Sequence, residues 1–585
     1  MDSNIVARLL PGNDTRLSRF FDRLKTLLGT DTGIAYALIV VLLFFNVLPI
    51  VAVFVSSFFA DGYIIFTGSF SLAGWEELAT EELSVLWNTA LYTVGAALLA
   101  TALSAALGWA IARTDAPLGR PYYYAILFSF FLPPVVTESV WIRLLAEGGV
   151  YPSLLGLDSF PLFTLGGMAV LQGIRLVPLG MLLLLPLYSG INKSLEEVSR
   201  ISGASLLTTI RKITLPLILP GLAAVFLFAL IISLGSFRVP LLVGVPAQIR
   251  VLATQIYIST SDTPVRFGLA MAQGTLMVAI AIPLLFGYKR FVGQTEQYST
   301  VSGSGYTRQP TRLGAWRYVV SAVVGAYVVL TAVVPVLMMA YTSLLPYYVP
   351  PQTVSLSQFT AMASFTPYVN VLSKPQILSS VTNSVIVALT GATLVTVFPL
   401  FISWVVQKRD VGFGTVIDYL AFAPIGLPSV ALALGLIFIY GQVIRIGIYG
   451  TLAIFVVAYF IRSIPINLRV IDPAVMQINE EFLEASYISG AGFAKTVRSI
   501  LAPLVMNSVR TAWITSFAFM STELAIALML RAPGTNLISA TLYQLALSAD
   551  TLNQAYALGI LVTVGILAVI FTIHRLTRVR GMELF

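Results

Sequence analysis

The chain reads as an all-α integral membrane protein of about twelve transmembrane helices in two parallel six-helix repeats, and three observations predict this. Its 585 residues are 57% hydrophobic and only 10% charged, against about 25% charge in an ordinary soluble domain. Uncharged runs reach the roughly 20 residues that a helix needs to cross a bilayer core; Ile34 to Ala60 is one, ended by Asp61. The third observation is a pattern written twice, 287 residues apart: Glu197, Ser199, Gly203, Ile213 and Pro216, then Glu484, Ser486, Gly490, Ile500 and Pro503. Backbone polar groups in lipid must be satisfied internally, which leaves helices or a closed barrel. Continuous apolar runs, rather than short alternating segments, exclude the barrel.

Hydropathy places the spans near 34–60, 86–111, 122–145, 161–189, 214–235, 267–288, 318–345, 380–406, 415–444, 448–468, 504–530 and 555–573. With the N-terminus inside, the seven inner segments carry 24 of the 34 Lys and Arg, and the six outer ones carry six. The first outer loop, 61–85, has none, beside Asp61, Glu76, Glu77, Glu81 and Glu82. This positive-inside bias puts both termini in the cytoplasm of a cell-membrane protein, plasma or inner. The net charge of +8 is thereby a topology signal, contacting membrane lipid, and not a nucleic-acid surface. The chain has no cysteine, which excludes disulfides, zinc–thiolate sites and cysteine catalysis. Residues 1–33 lack a signal peptide's short apolar core and are expected to be a cytoplasmic tail.

The duplication extends beyond the pattern, giving repeats at 34–290 and 317–585. Pro49 and Ser57 match Pro335 and Ser343; Asn88-Thr89, Trp109, Arg113 and Asp115 match Asn383-Ser384, Trp404, Lys408 and Asp410. Arg175 and Pro178 match Arg462 and Pro465, and Pro246 matches Pro533, while Tyr257 and Tyr543 fall one residue off register. An even number of spans per half makes the repeats parallel, related by an axis along the membrane normal. Residues 291–316, rich in Gly, Ser and polar side chains, are expected to be a flexible cytoplasmic linker.

Both copies of the pattern fall between the fourth and fifth spans of their half, on the cytoplasmic side. Leu195, Val198, Ile201 and Leu206 among Ser, Glu and Arg suit a short interfacial helix. Gly203 and Gly490 fall where the chain must turn, and Pro216 and Pro503 would open the next span, where a missing N–H costs little. The two copies resemble the "EAA" loop of membrane subunits of binding-protein-dependent ABC importers. They depart from it with Ser199 and Ser486 at the second Ala, Val198 at the first Ala, and Ala502 in place of Leu. The segments Ser236-Phe-Arg-Val-Pro240 and Glu523-Leu-Ala-Ile-Ala, with Arg531 and Pro533 beyond, further resemble the fused permeases of the iron(III) importer type. Fused permeases for thiamine and aminoethylphosphonate share much of this pattern.

The resemblance implies a type I ABC importer permease fold and a transport subunit that is not itself an enzyme. It implies that Glu197, Gly203, Pro216, Glu484, Gly490 and Pro503 couple to a cytoplasmic ABC ATPase, one copy on each loop. It also implies an extracytoplasmic substrate-binding protein and a cargo of iron(III) or a small anion. No lysine follows a glycine, so a P-loop is absent; the chain binds no cofactor, and ATP and Mg belong to the partner.

Ionisable residues within spans are costly and face the bundle interior or pair with one another. Glu138, Arg143, Arg175, Arg462 and Glu523 are the candidates. Arg175 and Arg462 occupy one position of the two repeats, either lining the translocation path or pairing with Glu138 and Glu523. Two arginines at the axis would favour an anionic or anion-chelated cargo; Glu523 argues against it. No metal site is expected, since His574 is the lone histidine. An ion-coupled secondary transporter, with Glu138 and Glu523 carrying protons, is the alternative, and a membrane scaffold is a third reading.

Overall fold

A computed structural model of the protein describes residues 31–59, 69–299, 310–408, 412–491 and 493–576. Among them there are helices and two isolated bridges, but no strand. Nine helices are long and apolar enough to span a membrane, or ten if one bent pair counts as a single span. The three remaining expected spans are interrupted, and each interruption has a local cause.

The third span of each half breaks at equivalent prolines. Residues 119–129 and 134–155 meet at 106°, where Leu132 and Pro133 are extended (ψ 141° and 116°). Proline disfavours the helical region for the residue before it, and the adjacent pair Pro133-Pro134 stops the first helix. In the second half Gly414–Phe422 gives way to a 3-10 turn, Ala423–Gly426, and the helix restarts at Ser429 after extended Pro428. The expected span 504–530 is cut differently: Met506–Thr522 ends at Glu523, whose carboxylate accepts from the amides of Ala525 (3.1 Å) and Ile526 (2.8 Å). That carboxylate caps a short new helix, Ala525–Met529.

Four prolines that open no break are instead preceded by π turns, again in duplicate. The turns Leu43–Val47, Val329–Val333, Ile210–Thr214 and Val497–Leu501 each end two residues before a proline: Pro49, Pro335, Pro216 and Pro503. In the first three, the residue just ahead of the proline donates its amide five residues back, to Leu43, Val329 or Ile210. Widening the turn relieves the clash of the proline ring with the preceding turn. Pro216 accordingly does not open its span, contrary to the expectation from spacing. It lies inside a helical run that starts at Leu206 and ends at Leu234.

The described helices form two compact units: residues up to 48 with 393–424 and 463–513, and residues 49–392 with 425–462 and 514–585. Neither unit is a sequence repeat, because the first span of each repeat packs on the other repeat. Within the smaller unit, buried Asn46 of the first repeat donates to the Leu420 carbonyl of the second (3.0 Å), and Tyr36 meets Phe413. Within the larger unit the reciprocal contacts occur: Ser321 donates to the Pro117 carbonyl (2.8 Å), and the Tyr151 hydroxyl to that of Leu330 (2.7 Å). Side-chain-to-backbone bonds of this kind tie helices together where apolar burial drives no association.

The helix Phe267–Ser299 continues through the first part of the expected linker. Residues 300–309 lie outside the described ones, and beyond them Thr311 exchanges backbone bonds with Arg113 and Asp115 while Leu313 donates to the Asp115 carboxylate (2.9 Å). The terminal clusters Arg8 to Lys25 and Arg578 to Arg580 also lie outside the described residues.

Repeat equivalence survives at the level of single hydrogen bonds. Thr89 Oγ1 accepts from the Leu252 amide (2.9 Å), and Ser384 Oγ from the Ile538 amide (2.7 Å). Arg113 donates to the carbonyls of Tyr188 and Ile191, and Lys408 to those of Met476 and Ile478. Because Leu252 and Ile538 open the equivalent helices Leu252–Ser261 and Ile538–Leu547, Tyr257 and Tyr543 are in register after all. The shift lies in the loop before them.

Candidate functional site

The two loops that carry the repeated pattern have the same build. A helix, Lys193–Ile201 or Glu480–Ile488, runs into a glycine with positive φ, Gly203 (84°) or Gly490 (76°), and a second short helix follows, Leu206–Thr209 or Phe493–Thr496. A left-handed turn closes each first helix at little cost because glycine has no Cβ. The Ala204 amide returns to the Ser199 carbonyl and the Ala491 amide to that of Ser486, both at 3.1 Å.

The residues that depart from the family pattern have a use here. Ser199 and Thr209 share a hydroxyl–hydroxyl bond of 3.0 Å, and Ser486 and Thr496 share one of 2.8 Å. Each pair staples the first short helix to the second across ten residues, so a serine at the second Ala position holds the hairpin's angle. Both hairpins present the same apolar knob: Ile201 is 85% exposed and Ile488 is 88% exposed. Val198 and Phe482 stand exposed beside them.

Glu197 is exposed, whereas its neighbour Glu196 is buried. Successive helical residues point about 100° apart, so one glutamate faces outward and the other inward. Glu196 takes Arg113 at 2.6 Å and the Thr214 hydroxyl at 2.9 Å, which ties the first hairpin to the second and fifth spans. The sequence pattern passes over Glu196 because its equivalent is Leu483. Glu484 sits on the helix Glu480–Ile488; its side chain lies outside the described residues, as does that of His574.

The intramembrane charges gather in the larger unit. Glu138, fully buried on the helix after the Pro133 break, forms an ion pair with Arg175 at 2.9 Å and lies 3.5 Å from Arg238. Arg462 lines a cavity of about 120 Å³ with Arg238, Gln172, Ser236, Ser429 and Glu523. Arg175 and Arg462 therefore differ in setting despite their equivalence: the first forms an ion pair with a carboxylate of its own half, and the second lines the cavity. Arg143 stands instead over the Tyr348 ring, 5.0 Å from its centre. Arg238 is the residue that spacing misses. Hydropathy ends the fifth span at 235 and assigns Arg238 to an outer segment, but the chain turns back into the bundle through a π turn at Pro240–Gly244. Among the described residues no three His, Cys, Asp or Glu side chains converge.

Residues 400–579 match the family described as "Binding-protein-dependent transport system inner membrane component". The chain is 25% identical over 543 residues to the "Ferric transport system permease protein FbpB" of Actinobacillus pleuropneumoniae, covering 88% of this chain and 75% of that one. It is 25% identical over 548 residues to a "Putative ferric transport system permease protein FbpB 1" of Haemophilus influenzae, covering 90% and 82%. The "Inner membrane ABC transporter permease protein YdcU" of Escherichia coli is 32% identical over 206 residues, 30% of this chain and 65% of that one. Permeases of this family are transport subunits that work with an ATPase and a substrate-binding protein. A doubled loop, nine or ten apolar spans among the described residues and this likeness over most of the length lead to one identification: residues 400–579 belong to the binding-protein-dependent transport component family, and the chain as a whole is similar to membrane-spanning permeases of ABC importers.

Proposed function

We propose that the chain unites both transmembrane halves of an iron(III) importer, with repeats at 34–290 and 317–585, and that each half docks one copy of a separate cytoplasmic ATPase through its own hairpin. The observation that carries this is the doubled hairpin at 193–216 and 480–503: same turn, same Ser–Thr staple, same exposed isoleucine. Two identical apolar knobs on a chain without a P-loop match two identical sockets on a partner that has one. Movement of the two hairpins on ATP binding would rock the halves and open the path to the outer face. Iron(III) as cargo rests on the two ferric relatives, each matched over most of its length.

Uptake of radioactive iron into proteoliposomes tests the reading. With the ATPase inside and a ferric-loaded binding protein outside, uptake should follow ATP and ignore an imposed proton or sodium gradient. Uptake driven by the gradient without ATP would establish an ion-coupled carrier instead.

The orientation has its own test. Single cysteines at Thr80 and Gln358, both exposed on expected outer loops, should react with an impermeant thiol reagent from outside. Cysteines at Ser194 and Ser489, exposed on the hairpins, should react only after permeabilisation. Labelling of Ser194→Cys from outside would invert the topology and remove the hairpins from the ATPase.

A further inference from the structure

The cavity beside Arg238 and Arg462 holds more positive than negative charge. Its cluster comprises Arg175, Arg238 and Arg462 against Glu138 and Glu523. Each carboxylate already faces donors of the chain: Glu138 is ion-paired through Oε1 with Arg175 and Arg238, and both oxygens of Glu523 accept backbone amides. Protonating either glutamate would raise the excess. Net charge in a membrane interior is costly and calls for a counter-charge.

The uncharged lining is also set to donate. The Tyr92 hydroxyl donates to Ser236 Oγ (3.1 Å), which donates in turn to Gln172 Oε1 (3.1 Å). That relay occupies the carbonyl end of the Gln172 amide and leaves its NH₂ donors for the cavity. Gln172 is 95% buried, being 5% exposed. Gly426, Leu427, Pro428 and Ser429 bring the start of the helix Ser429–Leu436 to the same wall. First-turn amides have no acceptor within their helix and attract negative charge. The restart at Pro428 thus supplies a second, independent donor group.

We propose that this cavity is a cargo subsite for an oxyanion, a carboxylate, carbonate or phosphate group, so that the cargo crosses the membrane as an anion or chelated by one and not as a bare cation. The proposal rests on the importer reading for the word cargo, but its chemistry does not. A space of about 120 Å³ equals about four water molecules at ~30 Å³ each. It admits one such group, with the remainder of a larger chelate outside it. Arg238 and Arg462 supply the charge, and Gln172 and Ser429 the orientation.

The test uses the purified full-length chain in nanodiscs without ATPase or binding protein, so that coupling can fail while the subsite stands, or the reverse. Equilibrium binding of radiolabelled phosphate and citrate, and separately of ferric citrate, distinguishes a free anion from an anion-chelated metal. At least one should bind saturably, one per chain, with chloride not competing. Losing a charge-assisted bond should weaken it about tenfold or more in Arg238→Gln and in Arg462→Gln. Ser236→Ala, which breaks the relay without changing charge, should weaken it by about threefold and guards against misfolding of the arginine variants. Terbium(III) chloride serves as the bare hard cation and should not bind in the absence of oxyanion. Saturable terbium binding, no saturable binding of any oxyanion, or wild-type affinity in both Arg238→Gln and Ser236→Ala would overturn the proposal.

Discussion

Replacing Glu197 and Glu484 together with lysine should strip the ATPase from the permease, with co-purified ATPase and ATP-driven uptake falling at least tenfold while the membrane subunit still inserts. Glu197 is exposed on the short helix that also carries exposed Val198 and Ile201, so its carboxylate is within reach of a docked partner. Reversing a charge within a docking pocket leaves a like pair facing each other, and tenfold in affinity is only about 1.4 kcal/mol. The buried neighbour supplies the control. Glu196→Gln weakens the 2.6 Å contact to Arg113, so it should lower thermal stability, and any loss of coupling there should track the unfolding. Pull-down of the ATPase from detergent extracts, alongside a thermal melt of the permease, separates the two. Full ATPase retention by a stable Glu197→Lys/Glu484→Lys protein would remove the hairpins from the coupling.

Much of this arrangement is legible in residues alone, because the repeat samples the same local physics twice. Two copies of Glu, Gly and Pro at one spacing fix the hairpins, and the turn at Gly203 and Gly490 follows from what glycine permits. The break in each third span was also written, as Leu132-Pro133-Pro134 and Leu427-Pro428. Hydropathy windows average across such prolines and return one continuous span. What no local signal carries is the exchange of first spans, since Asn46 finding Leu420 depends on which helix lies opposite. Arg238 is hidden for a related reason. A run of apolar residues ending in Gly235 looks like an exit, and only the packing shows the chain re-entering to bring that guanidinium to Glu138. Equivalent positions can diverge for the same cause: Arg175 and Arg462 share a sequence context, but only one of them faces a glutamate on its own third span.

That divergence sets the last expectation. Arg175→Gln should destabilise the permease strongly, on the order of 3–5 kcal/mol, because it removes the nearest partner of a carboxylate that is fully buried. Arg462→Gln should lower uptake in protein that still assembles, since its guanidinium lines the cavity. A double-mutant cycle isolates the pair: Arg175→Met with Glu138→Leu removes both charges and should recover a large part of the stability lost by Arg175→Met alone. Replacing a buried pair by apolar groups is often neutral, whereas orphaning one member is not. Arg238, 3.5 Å from Glu138, sets how complete that recovery is, because the double variant leaves it without its carboxylate. The readout is thermal unfolding in detergent for all four proteins, with uptake measured on those that assemble. An Arg175→Gln protein as stable as wild type would show that Arg238 alone satisfies Glu138, and the structural role would pass from the fourth span to the segment beyond the fifth.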